Sequence, residues 1–260
     1  MQPFLKLALA TLLAHLLGDY PLQPARLRRA KCKGRVGAYF GHGVVHLLVL
    51  VLCVGVFTGS VWLTTFRFWI VSLVYVAAHL AIDRTKQGLV NRVGFANSAS
   101  IFLADQLLHL GTIAGLAWLV SCPSWMSVKS QFTWTPATGD KVLEAGIVYV
   151  AVVFAGGYAI RYLTRNLAAG IEKPGETEEQ VKNAGMYIGW LERFLVMTAI
   201  LVQSPSMVGL ILTGKSIARF PELKERFAEY FLIGTLLSIG LAVIGGLLLV
   251  KLWYGTILLK

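Results

Sequence analysis

The sequence predicts an all-α protein, a polytopic helical membrane bundle of about seven hydrophobic segments with a re-entrant hairpin near Pro205. Three observations predict it. Hydrophobic residues fill 56% of the 260 positions and charged residues only 14%, against roughly 25% charged in a soluble domain. The apolar runs are continuous and long enough to cross a bilayer as helices, whereas outer-membrane strands alternate polar with apolar residues. The 24 Lys and Arg outnumber the 13 Asp and Glu, for a net charge of +11, and the excess gathers in the connections, where it orients a membrane chain or meets anionic groups. Partners read from this balance are the lipid bilayer and an anionic or lipid-like substrate, and not nucleic acid.

The first segment spans residues 3 to 22. Its apolar run from Phe4 to Leu17 carries one cation, Lys6, and continues into Gly18-Asp19 without a cleavage site, so it reads as a retained helix rather than a signal peptide. The connection from 24 to 37 then holds Arg26, Arg28, Arg29, Lys31, Lys33 and Arg35 with no acid. Such a loop is cytoplasmic by the positive-inside rule, which puts the N-terminus outside. Segments at 38 to 58 and 66 to 83 follow, and Arg84, Lys86 and Arg92 mark a second cytoplasmic connection before the fourth segment, 98 to 120. Ser121 to Asp140 is weakly charged and contains Trp, as suits an external loop with interfacial aromatics.

A fifth segment, 142 to 164, leads into a polar linker at 166 to 184 that contains Lys173, Pro174, Gly175 and four glutamates. Beyond it, one crossing over 186 to 218 would put Lys215, Arg219, Lys224 and Arg226 outside. Gln203-Ser204-Pro205-Ser206 resolves the conflict if Pro205 ends the first arm and a shorter arm returns as a re-entrant hairpin. The last segment is 228 to 256. Four parts result: a helical bundle at 1–120, the external loop and fifth helix at 121–165, the cytoplasmic linker at 166–184, and a C-terminal part at 185–260. Cys32, Cys53 and Cys122 fall in three different segments and form no disulfide or zinc-knuckle pattern.

All five histidines lie within the first 110 residues, and each sits four positions from a His or an Asp: His15 with Asp19, His42 with His46, His79 with Asp83, and Asp105 with His109. At that spacing both side chains project from one helix face. Each of the first four helices therefore offers two ligands in one direction, and all four pairs fall toward the cytoplasmic ends of their helices. A lone intramembrane His is more often a helix–helix hydrogen-bonding residue. Three unpaired aspartates would each cost about 2.5 to 3.5 kcal/mol on insertion scales, whereas coordination of a cation neutralises them. Eight ligand-type side chains at one depth suit a dinuclear centre of the kind facing bundle helices build. The mix of imidazoles and carboxylates fits two divalent transition-metal ions, zinc first and iron or manganese next, better than calcium or magnesium.

The stretches AHLLGDYPLQ, GHGVVHLL, AAHLAIDRTKQ and ADQLLHL resemble the bacterial multi-pass membrane family known only as domain of unknown function 3307, over residues 12 to 110. GWLERFLVMTAILVQ, KSIARF and EYFLIGTLLS resemble the C-terminal half often found with it. The resemblance implies a bacterial inner (cytoplasmic) membrane location and supports grouping the eight His and Asp residues. It names no substrate.

Gln23, Lys86, Gln87 and Gln106 stand next to ligands in sequence. They can hydrogen-bond to those ligands or hold a substrate oxygen, which makes Gln23, Lys86 and Gln106 the candidate catalytic residues. Arg161 with Arg165, and Lys215 with Arg219, share helix faces and can clamp a phosphate; the alternative is that they anchor the helices at the membrane surface. Glu192-Arg193 reads as a structural pair, and Gly185 with Gly189 as a packing surface. No GxSxG elbow, P-loop or dinucleotide fingerprint is present in the sequence. The inventory points to a membrane-embedded metal-dependent hydrolase of a phosphoester or ester in a lipid-like substrate, with a di-iron oxidase or hydroxylase and a divalent cation transporter as alternatives.

Overall fold

The computed structural model describes residues 3–93, 99–121, 138–168, 178–218 and 228–255, and every regular element among them is helical. In chain order these are α1 (Pro3–Asp19), α2 (Ala25–Cys32), α3 (Val36–Thr58), α4 (Phe66–Val93), α5 (Ala99–Ser121) and α6 (Thr138–Val150). A π turn (Ala151–Ala155) runs into α7 (Gly156–Ala168), followed by α8 (Glu178–Leu201), α9 (Ser206–Ala218) and α10 (Ala228–Tyr254). The chain divides into two compact units, Met1–Ile147 and Val148–Lys260.

Helix α3 shows why this bundle belongs in lipid. Phe40, Val44, Leu48, Leu52 and Val56 recur every fourth residue and are all exposed, while His42, His46, Val49, Leu50 and Cys53 on the opposite side are buried. A soluble helix turns its apolar stripe inward. Here the polar groups face the protein and the apolar stripe faces out, the arrangement that hydrocarbon solvent favours. Among the described residues, five helices are long and apolar enough to cross a membrane: Val36–Thr58, Phe66–Val90, Ser100–Ser121, Asp140–Thr164 and Leu232–Tyr254.

In the first unit α1 packs against α3 and α5, and α4 against α5 and α3, so the four helices close a ring around one interior. Helix α6 runs beside α1: Lys6 Nζ lies 3.2 Å from Asp140 Oδ1, and Leu13 stands over Gly146. The basic connection is not a plain loop, because its Ala25–Cys32 stretch forms α2, which packs on α3. Arg, Leu, Ala and Lys are good helix formers, and Arg29 and Lys31 in the last turn complement the helix dipole. Gly34, at φ +69°, ends it: Gly34 N–H bonds Lys31 O at 2.8 Å and Arg35 N–H bonds Ala30 O at 3.1 Å, which is a Schellman closure. Helix α4 is ten residues longer than expected and carries Arg84 to Val93 in helical form, because nothing after Asp83 stops it.

In the second unit α8 lies along α10, with α7 also on α10 and α9 folded onto α8. The long segment expected over 186 to 218 is broken. Helix α8 ends at Leu201 with Ser204 N–H on Ala199 O at 2.8 Å and Gln203 N–H on Ile200 O at 3.0 Å, and Gln203 adopts φ +59°. The same Schellman geometry therefore closes α8 on a non-glycine residue, and Pro205 opens the next helix rather than kinking the first. Helix α9 folds back far enough for Lys215 Nζ to reach Glu192 Oε2 at 2.5 Å.

Of the expected Glu192-Arg193 pair, Glu192 takes Lys215 as its ion-pair partner, and neighbours on a helix point about 100° apart. Arg193 is buried instead. Its Nη2 and Nε donate to Val153 O in the π turn at 2.7 and 3.1 Å, and its Nη1 donates to Ser238 Oγ at 2.9 Å. Gly189 is one of the residues that makes room for that guanidinium: a Cβ there would lie 3.3 Å from Nη1. Cys122, most of the expected external loop (122–137), linker residues 169–177, Arg219, Lys224 and Arg226 lie outside the described residues.

Candidate metal centre

The four helix pairs meet. Helix α1 contributes His15 and Asp19 from its last turns, α3 His42 and His46, α4 His79 and Asp83, and α5 Asp105 and His109. All five imidazoles are 2% exposed or less. His79 lies at the middle of the cluster, its ring centroid 3.9 Å from His46, 4.4 Å from His109, and 5.3 Å from both His15 and His42.

Asp19 Oδ1 is the point of convergence. It lies 3.1 Å from His42 Nε2, 3.1 Å from His46 Nε2 and 3.3 Å from His79 Nε2, and the His42 and His79 Nε2 atoms are 3.2 Å apart. A carboxylate oxygen has two lone pairs, so three imidazole donors overfill it, and two Nε2 atoms in contact cannot both carry a proton. A metal ion held among these atoms would resolve the conflict. Ligands about 2.0–2.1 Å from a tetrahedral zinc are separated from one another by about 3.3 Å, close to all four distances. Asp19, His42, His46 and His79 thus form one set with ligand atoms within 4.8 Å of each other.

His79, Asp83 and His109 form a second set. His109 Nδ1 donates to the Asp105 carbonyl at 2.8 Å, which leaves the Nε2 lone pair directed inward. That Nε2 is buried with no hydrogen-bond partner, and it lies 3.9 Å from Asp83 Oδ1. Fixing one ring nitrogen on a carbonyl while freeing the other is how proteins orient metal-binding imidazoles. His79 Nε2 faces both sets, at 3.3 Å from Asp19 and 3.8 Å from Asp83. The two sets therefore adjoin through a shared residue.

The other two expected ligands flank these sets. His15 Nε2 lies 3.7 Å from Asp19 Oδ2, its ring stacks on His109 with centroids 4.8 Å apart, and both of its nitrogens are buried without a hydrogen-bond partner. Asp105 Oδ2 accepts from Lys86 Nζ at 2.7 Å and from Gln106 Nε2 at 3.1 Å, while its Oδ1 stands unpartnered 3.7 Å from His109 Nδ1. Gln23 Nε2 approaches both ring nitrogens of His42 at 3.4 Å. Gln23, Lys86 and Gln106 thus all touch ligand-type residues and hold them in place. Of the expected phosphate clamp, Arg161 is exposed on α7 and Lys215 is engaged with Glu192, both in the second unit; the side chains of Arg165 and Arg219 lie outside the described residues.

Residues 7–135 match the family described as Protein of unknown function (DUF3307). That segment is similar to the DUF3307 family. The match includes all eight His and Asp residues of the cluster and ends ahead of the second unit. No curated protein and no solved structure matches the chain.

Within the DUF3307 segment two residues at the cluster had no motif to announce them. Gly18 gives His46 its place, since a Cβ there would lie 2.6 Å from His46 Nε2 and 2.7 Å from Cε1. The available signal was its position directly before Asp19, one turn after His15. Lys31, alone among the six cations of the basic connection, is buried, and its ammonium contacts Asp83 Oδ2. Its signal was weaker: Leu27 and Lys31 share the inward face of a short helix whose other cations are largely outside.

Proposed function

We propose that the chain is a membrane-embedded, metal-dependent hydrolase that cleaves a phosphoester or ester bond in a lipid-like substrate reached from the cytoplasmic side. The observation that carries this reading is the convergence of His42, His46 and His79 Nε2 on one oxygen of Asp19, with the unpartnered Nε2 of His109 beside Asp83. Asp19, His42, His46 and His79 would hold one divalent transition-metal ion, zinc in preference to iron or manganese, and Asp83 with His109 would hold a second beside it, since the one Nε2 lone pair of His79 serves a single ion. When bound they act as Lewis acids that lower the pKa of a water and stabilise the charge developing on the leaving oxygen.

The chain's own residues supply the rest. Gln23 fixes the His42 ring, Lys86 and Gln106 hold the Asp105 carboxylate, and the backbone carbonyl of Asp105 orients His109. The outward apolar faces of α3, α4 and α5 keep the centre beside the acyl region, where an amphiphile delivers its scissile bond. The six-cation connection supports, by the positive-inside rule, a cytoplasmic position for the ligand-bearing ends of the helices in a bacterial inner membrane with the N-terminus outside, and its charge suits anionic headgroups. On the same topology α8 and α9 form a re-entrant hairpin, one of about seven hydrophobic segments.

Anaerobically prepared, zinc-loaded protein in vesicles should cleave a phosphorylated or ester-linked amphiphile. Turnover should vanish with a chelator and return with zinc or manganese. Strict dependence on iron and oxygen would replace the hydrolase by an oxidase, and divalent-ion flux without turnover would replace it by a transporter.

A further inference from the structure

Lys31 stands at the one carboxylate that a second ion needs. Helix α2 is tied across the ligand-bearing end of the ring by contacts from Leu27, Lys31 and Cys32. Leu27 lies over Gly41, the Cys32 thiol donates to Gln87 Oε1 at 3.5 Å, and the Lys31 ammonium sits on Asp83 Oδ2. Tyr39 supports the lysine twice, donating its hydroxyl to the Lys31 carbonyl at 3.4 Å and placing its ring 5.7 Å from Nζ. Asp83 is also the only carboxylate in the His79, Asp83 and His109 set, whereas Asp19 in the other set has, among the described residues, imidazole ion-pair partners and no lysine.

We propose that Lys31 is a resident competitor for the second metal ion: its ammonium occupies Asp83 until a divalent cation displaces it. This rests on the metal-centre reading above. The two ligand sets are then unequal. The first holds its ion tightly. The second holds an exchangeable ion, because binding there must both move a positive charge off Asp83 and tolerate it nearby. A unit charge within a few ångströms of a partly buried ion is worth orders of magnitude in affinity, so its removal should register clearly. The lysine stem is flexible and α2 is short, so the exchange needs a side-chain swing and no rearrangement of the ring. Displaced from Asp83, the ammonium remains beside the centre, where an anionic substrate oxygen is its natural new partner.

Zinc titration of metal-free protein in detergent, read by competition with a chromophoric chelator, tests this without any assay of turnover. Wild-type protein should bind one zinc tightly and a second at least about tenfold more weakly. Lys31→Gln should tighten the second step by about tenfold or more and leave the first nearly unchanged, and Lys31→Arg, which keeps the charge, should preserve the wild-type gap. Lys31→Met provides a second neutral variant if the glutamine form is poorly folded by size-exclusion and thermal unfolding. A second-site affinity equal or weaker in both neutral variants would overturn the role of Lys31 while leaving the metal centre standing. Absence of zinc binding in wild type would overturn both.

Discussion

Asp19→Ala is expected to lower affinity for the tightly held ion by at least about 100-fold, more than the 10- to 100-fold typical of losing a residue that merely supports a ligand. The expectation follows from the position of one atom. Oδ1 of Asp19 is in contact with three imidazole nitrogens, so its loss removes both a ligand and the negative charge that gathers His42, His46 and His79. Elemental analysis of the purified variant should show at least one equivalent less metal than wild type. His46→Ala should do the same from the opposite side of the set, since His46 Nε2 and Asp19 Oδ1 are mutual neighbours at 3.1 Å. Unchanged metal content in both would mean that the convergence has another cause.

Gly18→Ala should produce a second large effect with a distinctive signature. The added methyl would lie 2.6 Å from His46 Nε2, well inside van der Waals contact, so the ring must leave its place. Metal affinity should fall by about 10- to 100-fold, in the range seen when a ligand's support is lost. Yet Ala is the better helix former by about 1 kcal/mol, so the metal-free protein should melt no lower than wild type. Thermal unfolding with and without zinc separates the two: the zinc-induced rise in Tm should shrink in the variant while the metal-free Tm holds. A general packing defect would lower both melting points together.

The parts of the fold that depend on local pattern were legible in the sequence. Long apolar runs gave the helices of the ring, and i,i+4 spacing put His42 with His46, and His79 with Asp83, on shared faces. What escaped depended on chain geometry that the pattern does not encode. Helix α2 lay hidden because a run of cations between apolar segments reads as a loop, although Arg, Ala and Leu favour a helix and Gly34 supplies its end. The π turn at Ala151–Ala155 has no sequence mark, and its Val153 carbonyl meets Arg193 only through tertiary packing. Pro205 did mark a break, but the turn itself is centred on Gln203, a residue without the usual left-handed preference.

The site divides the same way. Its ligand-type residues were identifiable because ligand pairs on a helix obey a period. Which of them share a set was not, because the ring order of the helices decides it: His79 faces both Asp19 and Asp83, while Asp105 is turned toward Lys86 and Gln106. Lys31 and Gly18 act through space on residues of other helices, and neither carries a chemical type that would single it out.

X-ray absorption at the zinc edge, combined with elemental analysis of wild-type protein loaded with zinc and then desalted, tests the metal centre most directly. One to two zinc ions per chain are expected, each with a nitrogen and oxygen shell at about 2.0–2.1 Å, multiple-scattering features of histidine and no sulfur ligand. Protein that retains no metal after supplementation with zinc, iron or manganese, or a shell containing sulfur, would contradict it.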